Sequence, residues 1–283
     1  MGDILSVCLW EFASRSHCGS MPELTRGGVP ILQLKIIGHR GAAGLVSENT
    51  IPSFLHALEL GCRYLELDVH VVKDSTEGHR LAVIHDRELA RTTNLAGQVS
   101  DYTAQELALA DAGGAPVPTL DQTTDAILTW CLNAGVSPET VTLNIELKGR
   151  ATALPVADFI TGIEGPGINF LVSSFNHSEL SDFRQVDIKT AVAPLFDRWR
   201  SDWLRTAATL HASGVNLSRR ITTAKRVAEI RDAGFEVWVY TVNTVRSAKR
   251  SAAMGVSGVF TDRPDRLLSE PIEVETTGTS KTQ

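Results

Sequence analysis

Between residues 36 and 261, short apolar runs alternate with stretches of helical period, and this order restricts the fold more than any other feature of the chain. Strand and helix in repeated succession predict parallel strands joined by helical crossovers. The strand candidates are Ile36–His39, Tyr64–His70, Leu81–His85, Val141–Lys148, Phe170–Ser174, Lys189–Ala193, Gly214–Ser218, Glu236–Val242 and Gly258–Thr261. The helices between them include Thr50–Leu60, Gln122–Leu132, Ala153–Thr161, Ser178–Gln185, Ser201–His211, Ala224–Ala233 and Thr244–Met254, with Gly61 and Gly234 where helix C-caps are expected. The nine strands are one more than a (β/α)8 barrel needs. Leu81–His85, however, follows Tyr64–His70 with no helix between, only Lys73-Asp74-Ser75-Thr76-Glu77-Gly78, which predicts a hairpin. A hairpin centred between Thr76 and Glu77 sets Asp68 opposite His85. The predicted fold is therefore α/β, a TIM-type (β/α)8 barrel with a β-hairpin above the barrel mouth. In that architecture active sites lie at the C-terminal ends of the strands.

Two of these strands carry acids inside apolar runs, Leu65-Glu66-Leu67-Asp68-Val69 and Leu143-Asn144-Ile145-Glu146-Leu147-Lys148. Side chains alternate along a strand, so Glu66 and Asp68 share one face, as do Glu146 and Lys148, while the aliphatic residues take the other. Carboxylates are costly to bury alone, so their convergence predicts a site for a metal or another cation. An all-oxygen donor set suits a hard divalent ion, Mg2+ or Ca2+. For these two segments taken alone, amphipathic edge strands with solvated acids are the alternative.

Other chemically suggestive residues fall at the same strand ends. His39-Arg40-Gly41 closes the first strand. Histidine suits proton transfer near neutral pH, arginine presents a planar fork to phosphate, and glycine lets the backbone approach a ligand. His85-Asp86 ends the returning strand. A second histidine lets one group activate an attacking hydroxyl while the other protonates the leaving oxygen. Lys148 and Arg40 are placed to offset phosphate charge. Glu48-Asn49-Thr50 precedes Pro52 and a helix, which predicts capping by Asn49 or Thr50, with Glu48 a candidate to face the site. Tyr240 and Asn243 are candidates to flank a substrate, Phe175 is a candidate apolar wall after Ser173-Ser174, and Thr261-Asp262 ends the last strand. His56, His70, His79, His177 and His211 read as structural.

A net charge of -6 argues against nucleic acid and anionic membrane as partners. No apolar run approaches the roughly 20 residues that span a bilayer. Ile4–Trp10 lacks a basic flank, and Gly2–Ser6 fits a myristoylation pattern without a second membrane signal. Neither a secretory signal nor a stable membrane anchor is expected. Cys8, Cys18, Cys62 and Cys131 have no zinc or CxxC spacing, which points to a reducing, cytoplasmic setting. Residues 1–34 read as a poorly ordered extension, 35–270 as the barrel domain and 271–283 as a flexible tail. The sequence sets no oligomeric state.

Taken in order, His39-Arg40-Gly41, Glu48-Asn49-Thr50, Glu66-x-Asp68, His85-Asp86, Glu146-x-Lys148, Ser173-Ser174-Phe175 and Tyr240-Thr241-Val242-Asn243 resemble the glycerophosphodiester phosphodiesterases over residues 36 to 268. Asp197-Arg198-Trp199-Arg200-Ser201-Asp202-Trp203 resembles their bacterial cytosolic branch. The resemblance implies a TIM barrel with a small insertion after the His-Asp motif, about residues 87–120, and hydrolysis of glycerophosphodiesters, small-molecule substrates, to sn-glycerol 3-phosphate and an alcohol. It implies that Glu66, Asp68 and Glu146 bind the divalent metal, that His39 and His85 are the acid–base pair, and that Arg40 and Lys148 contact phosphate. The route to test first is attack by the substrate's own glycerol 2-hydroxyl through a cyclic phosphate. Three positions depart from the family pattern: Ser47 and Gly149, where many members have Pro, and Tyr240, where many have Trp. A lysophospholipase D-type phosphodiesterase is the nearest alternative activity, and a non-catalytic phosphodiester-binding protein the alternative class.

Overall fold

The structure, a computed structural model, describes residues 25–26, 29–30, 32–73, 81–163 and 167–274. Strands β1 (Lys35–His39) and β2 (Tyr64–Val71) are followed by a short β3 (Leu81–Val83). Then come β4 (Thr142–Leu147), β5 (Asn169–Ser174), β6 (Ala191–Phe196), β7 (Gly214–Ser218), β8 (Glu236–Tyr240) and β9 (Gly258–Thr261). β4 to β9 pair in parallel, each with the next; β2 joins β4 on one side and β1 on the other, and β1 joins β9. This closes an eight-stranded parallel barrel, with β3 outside the ring on β2.

The crossovers carry α1 (Ile51–Glu59), α2 (Ala104–Leu107), α3 (Leu120–Ala134), α4 (Ala153–Gly162), α5 (His177–Val186), α6 (Trp203–Thr209), α7 (Ala224–Asp232), α8 (Val245–Ala253) and α9 (Pro264–Leu267). Gly61 (φ 101°) and Gly234 (φ 90°) take the left-handed conformation that ends α1 and α7. No helix among the described residues is long and apolar enough to cross a membrane.

Strand alternation sorts the side chains to the two sides of the barrel wall. Leu65, Leu67, Val69, Leu143, Ile145 and Leu147 are buried outside the barrel with Phe54, Leu58, Ile127, Val156 and Phe183 of the helices. Ile37, Leu171, Ala193, Trp238 and Phe260 form a separate cluster on the opposite faces of their strands and plug the barrel interior. The polar groups at the strand ends sit above this plug. Thr50 caps α1, accepting from Ser53 N and donating to Ser47 O (2.7 Å). Replacing Thr50 with Ala is expected to cost about 1 kcal/mol, read as a lowered denaturant midpoint with an unchanged m-value.

The hairpin forms with a register one residue away from the expected one. Val69 pairs with Val83, and Ile84 N donates to Asp68 O (3.0 Å), so Ile84 stands opposite Asp68. The expected turn centre at Thr76–Glu77 lies outside the described residues. Pairing ends at Val83, and His85 reaches the mouth through a bend pinned by His70 Nε2, 3.1 Å from His85 O. Residues 87–120 include α2 and build a small core of their own from Leu89, Val99, Leu107 and Val117 against Val72 and Ile84.

β6 starts and ends later than the expected Lys189–Ala193. It runs through Pro194, which forfeits one ladder hydrogen bond while Leu195 and Phe196 are buried. At both ends of the barrel domain, Leu32–Gln33 pairs antiparallel with Glu273–Val274, and Leu34 N donates to Ile272 O (2.8 Å). Ordered structure thus crosses both expected boundaries, because Leu34 and Ile272 are buried. Thr25–Arg26 and Val29–Pro30 form a two-residue antiparallel pair. The rest of the expected extension, including Gly2–Ser6, Cys8 and Cys18, and residues 275–283 of the tail lie outside the described residues.

Candidate active site

β2 presents Glu66 and Asp68, and β4 presents Glu146, to the barrel interior at their C-terminal ends, where the parallel register sets Asp68 beside Glu146. One oxygen from each carboxylate lies within 4.8 Å of the other two. All three residues are buried, and Glu66 Oε1 and Asp68 Oδ1 have no hydrogen-bond partner among the described residues. Burial, then the neighbouring Asp68 and Glu146 charges, push the Glu66 carboxyl well above its usual value. Burial and Asp68 push Glu146 up to about 7. Burial acts the same way on Asp68, but Arg40, Lys148 and His85 outweigh it and hold that carboxyl low. Buried, unpartnered oxygens in an all-oxygen set are the donors a hard divalent cation takes, and its charge would replace the protons that Glu66 and Glu146 otherwise retain. The triad therefore fits Mg2+ or Ca2+.

A raised folded-state pKa has a defined sign. The folded, metal-free chain holds the Glu146 proton that the unfolded chain has released, so this group costs stability as pH rises from about 4.5 to about 7. Gln mimics the protonated acid. Glu146→Gln is expected to be more stable than wild type at pH 8 in EDTA, by at most about 3.5 kcal/mol at roughly 1.4 kcal/mol per pKa unit, and to match it near pH 4, below the unfolded value of the carboxyl. Equal melting temperatures at both pH values would show that Glu146 bears no such cost.

Arg40 and Asn49 frame the triad, and both adopt positive φ (52° and 57°), a conformation that non-glycine residues hold only when their surroundings fix it. Arg40 N donates to Glu66 Oε2 (2.9 Å), its Nε lies 3.1 Å from Asp68 Oδ2, and its Nη1 donates to Glu48 Oε1 (2.8 Å). Asn49 Nδ2 donates to Asp68 Oδ2 (2.9 Å). The close approach made by Gly41 (φ 84°) is to α1: a Cβ there would lie within 2.7 Å of three Ser53 atoms. Lys148 Nζ is 3.0 Å from Glu146 Oε1 and 3.9 Å from Asp68 Oδ1, and sits 5.5 Å from the centre of the Phe175 ring. Phe175 meets Tyr240 edge-on at 5.7 Å.

Two His–Asp pairs flank the carboxylates. His39 Nδ1 is 2.6 Å from Asp262 Oδ1, and its Nε2 is 3.9 Å from Glu66 Oε2. His85 Nδ1 is 2.6 Å from Asp86 Oδ1. Arg91 and His85 hold Asp86 down at about 2, and His39 and Asn243 outweigh burial to hold Asp262 low. Both aspartates are therefore acceptors at neutral pH, which makes each Nδ1 the donor and leaves each Nε2 free for proton transfer. Burial, reinforced by Arg40 and Lys148, holds the His85 imidazole below its usual value, so it is neutral at pH 7.

Glu48 and Asn243 are both engaged by protein partners. Glu48 accepts from Arg40 and from Arg91 Nη1 (3.1 Å) and Nη2 (2.7 Å). Asn243 donates to Asp262 Oδ2 (2.7 Å) and accepts from Asp262 N (2.8 Å) and Thr261 Oγ1 (3.1 Å). Three residues enter the site that the sequence had not assigned to it: Asp262 behind His39, Asn49 against Asp68, and Arg91, which binds both Asp86 and Glu48. Asp262 was visible only as a strand end. Arg91 sits in the insertion, where the sequence shows no sign of its target.

Comparison with known proteins agrees with this geometry. The sequence pattern of the Glycerophosphoryl diester phosphodiesterase family matches residues 39–266. A glycerophosphodiester phosphodiesterase of Bacillus altitudinis is 34% identical over 241 residues, covering 83% of this chain and 96% of that protein. A phosphodiesterase from Oleispira antarctica, solved with the product sn-glycerol-3-phosphate, superposes with a TM-score of 0.76 at 25% identity, covering 84% of this chain and 96% of that one. A shorter stretch of 73 residues, 26% of this chain and 22% of the relative, is 42% identical to human lysophospholipase D. With a matched pattern spanning from His39 to beyond Asp262, the chain is an enzyme that belongs to the glycerophosphoryl diester phosphodiesterase family.

Proposed function

We propose that the enzyme hydrolyses glycerophosphodiesters to sn-glycerol 3-phosphate and an alcohol in the cytoplasm, with a divalent cation held by Glu66, Asp68 and Glu146 and proton transfer by His39 and His85. The observation that carries this reading is the meeting of three buried carboxylates with two aspartate-oriented histidines at one barrel mouth. The product bound to the Oleispira relative supports the substrate class. The free, buried Cys62 and Cys131 suit a reducing setting.

When bound, the cation supplies polarisation of a phosphoryl oxygen. Lys148 and the unbonded part of the Arg40 guanidinium offset the remaining phosphate charge. One imidazole removes a proton through Nε2 from the attacking hydroxyl, the substrate's own glycerol 2-hydroxyl being the route to test first. The other delivers a proton to the departing alcohol oxygen. Water then opens the cyclic phosphate, with the two histidines exchanging roles. Phe175 and Tyr240 form the apolar side of the pocket. Glu48 and Asn243 act through Arg40 and Asp262 rather than on the substrate. Asp262→Asn is accordingly expected to lower kcat at least about tenfold with KM little changed, because the amide can present its N–H to Nδ1 and disfavour the working tautomer. Unchanged kcat removes Asp262 from this account.

The local identity to a human lysophospholipase D keeps one second reading in play, release of lysophosphatidic acid from lysophospholipid. Product analysis separates the two. Phosphorus NMR of the enzyme with glycerophosphocholine is expected to show sn-glycerol 3-phosphate, and little turnover of lysophosphatidylcholine. The reverse preference would replace the proposal with the second reading.

A further inference from the structure

The barrel mouth holds a second concavity away from the carboxylates. It is a cleft of about 430 Å³ lined by Asp197, Arg198, Trp199, Arg220, Ile221 and Arg226. The chain enters it directly from the ends of β6 and β7, and Arg226 comes from the first turn of α7. Its floor adjoins the active site through Tyr240. Ser218 is the register partner of Tyr240, and Arg219 N donates to Tyr240 O (2.7 Å). On its other side, Tyr240 packs on Phe175, over which Lys148 sits. A line of contacts therefore runs from the phosphate-facing Lys148 across the mouth to the cleft. The Tyr240 hydroxyl is buried with no hydrogen-bond partner among the described residues, and its proton is held tightly by burial and by Asp197 and Glu146.

The lining is cationic in a chain of net charge -6: three guanidinium groups against one carboxylate. The aromatic face that would attract a cationic head group is already taken. Arg226 lies 4.8 Å from the centre of the Trp199 ring, the position a quaternary ammonium would seek, and Arg198 Nε is 3.9 Å from Asp197 Oδ2. Arg226 also donates to Ile221 O (2.6 Å), which fixes the loop. Arg220 makes no side-chain bond to the described residues, so its five donors face the cleft and solvent. We propose that this cleft is the subsite for the alcohol released from the diester, and that it favours alcohols carrying a negative charge, with Arg220 as the principal contact. The inference rests on the reaction proposed above and adds its head-group class.

Glycerophosphoserine and glycerophosphoethanolamine differ by one carboxylate and form the matched probe pair. With the full-length chain and saturating Mg2+ or Ca2+, kcat/KM for the serine diester is expected to exceed that for the ethanolamine diester by about three- to tenfold, the range of an exposed to half-desolvated charge pair. Calorimetry in EDTA is expected to show the same order of affinities without turnover. In Arg220→Gln, which removes no intramolecular bond, both ratios should fall to about 1 at an unchanged melting temperature. Equal values in wild type, a preference for ethanolamine or choline, or a serine preference that survives Arg220→Gln would overturn the proposal. Binding preference lost in Arg220→Gln, with no turnover of either diester in wild type, would uphold the subsite and contradict the reaction instead.

Discussion

Replacing either His39 or His85 with Ala is expected to lower kcat by about a hundredfold or more, the usual scale for a lost acid or base, while the melting temperature stays near that of wild type. The structure supports this separation of activity from stability. Among the described residues, the His39 side chain hydrogen-bonds to Asp262, with Glu66 3.9 Å from its other ring nitrogen, and the His85 side chain to Asp86, both part-exposed at the rim of the mouth. The apolar plug of Ile37, Trp238 and Phe260 and the outer core of Leu65, Leu67 and Leu143 touch neither imidazole's role. The two variants should also differ from each other. A substrate whose leaving group needs no protonation, such as a nitrophenyl diester, should restore much of the rate to the variant that has lost the acid and none to the variant that has lost the base. Near-normal kcat in either variant, measured as glycerol 3-phosphate release, would refute the role assigned to that histidine.

Glu66→Gln and Glu146→Gln are expected to weaken divalent-metal binding by at least about tenfold, and excess metal should recover part of the activity. The argument is electrostatic. Each substitution removes one of three charges that share a buried site, and each amide also brings donors that face inward toward a cation. Asp68 is braced by Arg40 and Asn49, so the site keeps its shape when one glutamate is neutralised. The same Glu146→Gln change should stabilise the metal-free chain at pH 8. Function and stability thus pull in opposite directions at one residue, as expected where a fold holds like charges together for a ligand. Titration calorimetry with Mg2+ and Ca2+ reads the affinity directly. Affinities equal to wild type in both variants would count against direct ligation.

Much of this architecture was legible because strand alternation acts locally. The period of two in Leu65-Glu66-Leu67-Asp68-Val69 is enough to send the acids inward and the aliphatic residues under the helices, and the strand ends fall together in any parallel barrel. Features governed by long-range pairing were not legible. Asp262 lies 223 residues from the His39 it orients, and no local pattern joins them. The hairpin register differs by one residue from the expected one, which moves the residue opposite Asp68 from His85 to Ile84. Pro194 made β6 look finished at Ala193, although burial of Leu195 and Phe196 carries the strand on. The helix expected over Ser201–His211 forms as Trp203–Thr209, and Trp199 packs on Trp203 from the preceding loop at 6.0 Å.

The central claim is that the Glu66, Asp68 and Glu146 cluster works by holding a divalent cation. Its most direct test is release of glycerol 3-phosphate from glycerophosphocholine by wild-type enzyme dialysed against EDTA, then resupplied with Mg2+ or Ca2+. The account predicts loss of release in EDTA and its return with one or both ions. A full rate after exhaustive chelation, in the wild type and in Glu146→Gln alike, would contradict it.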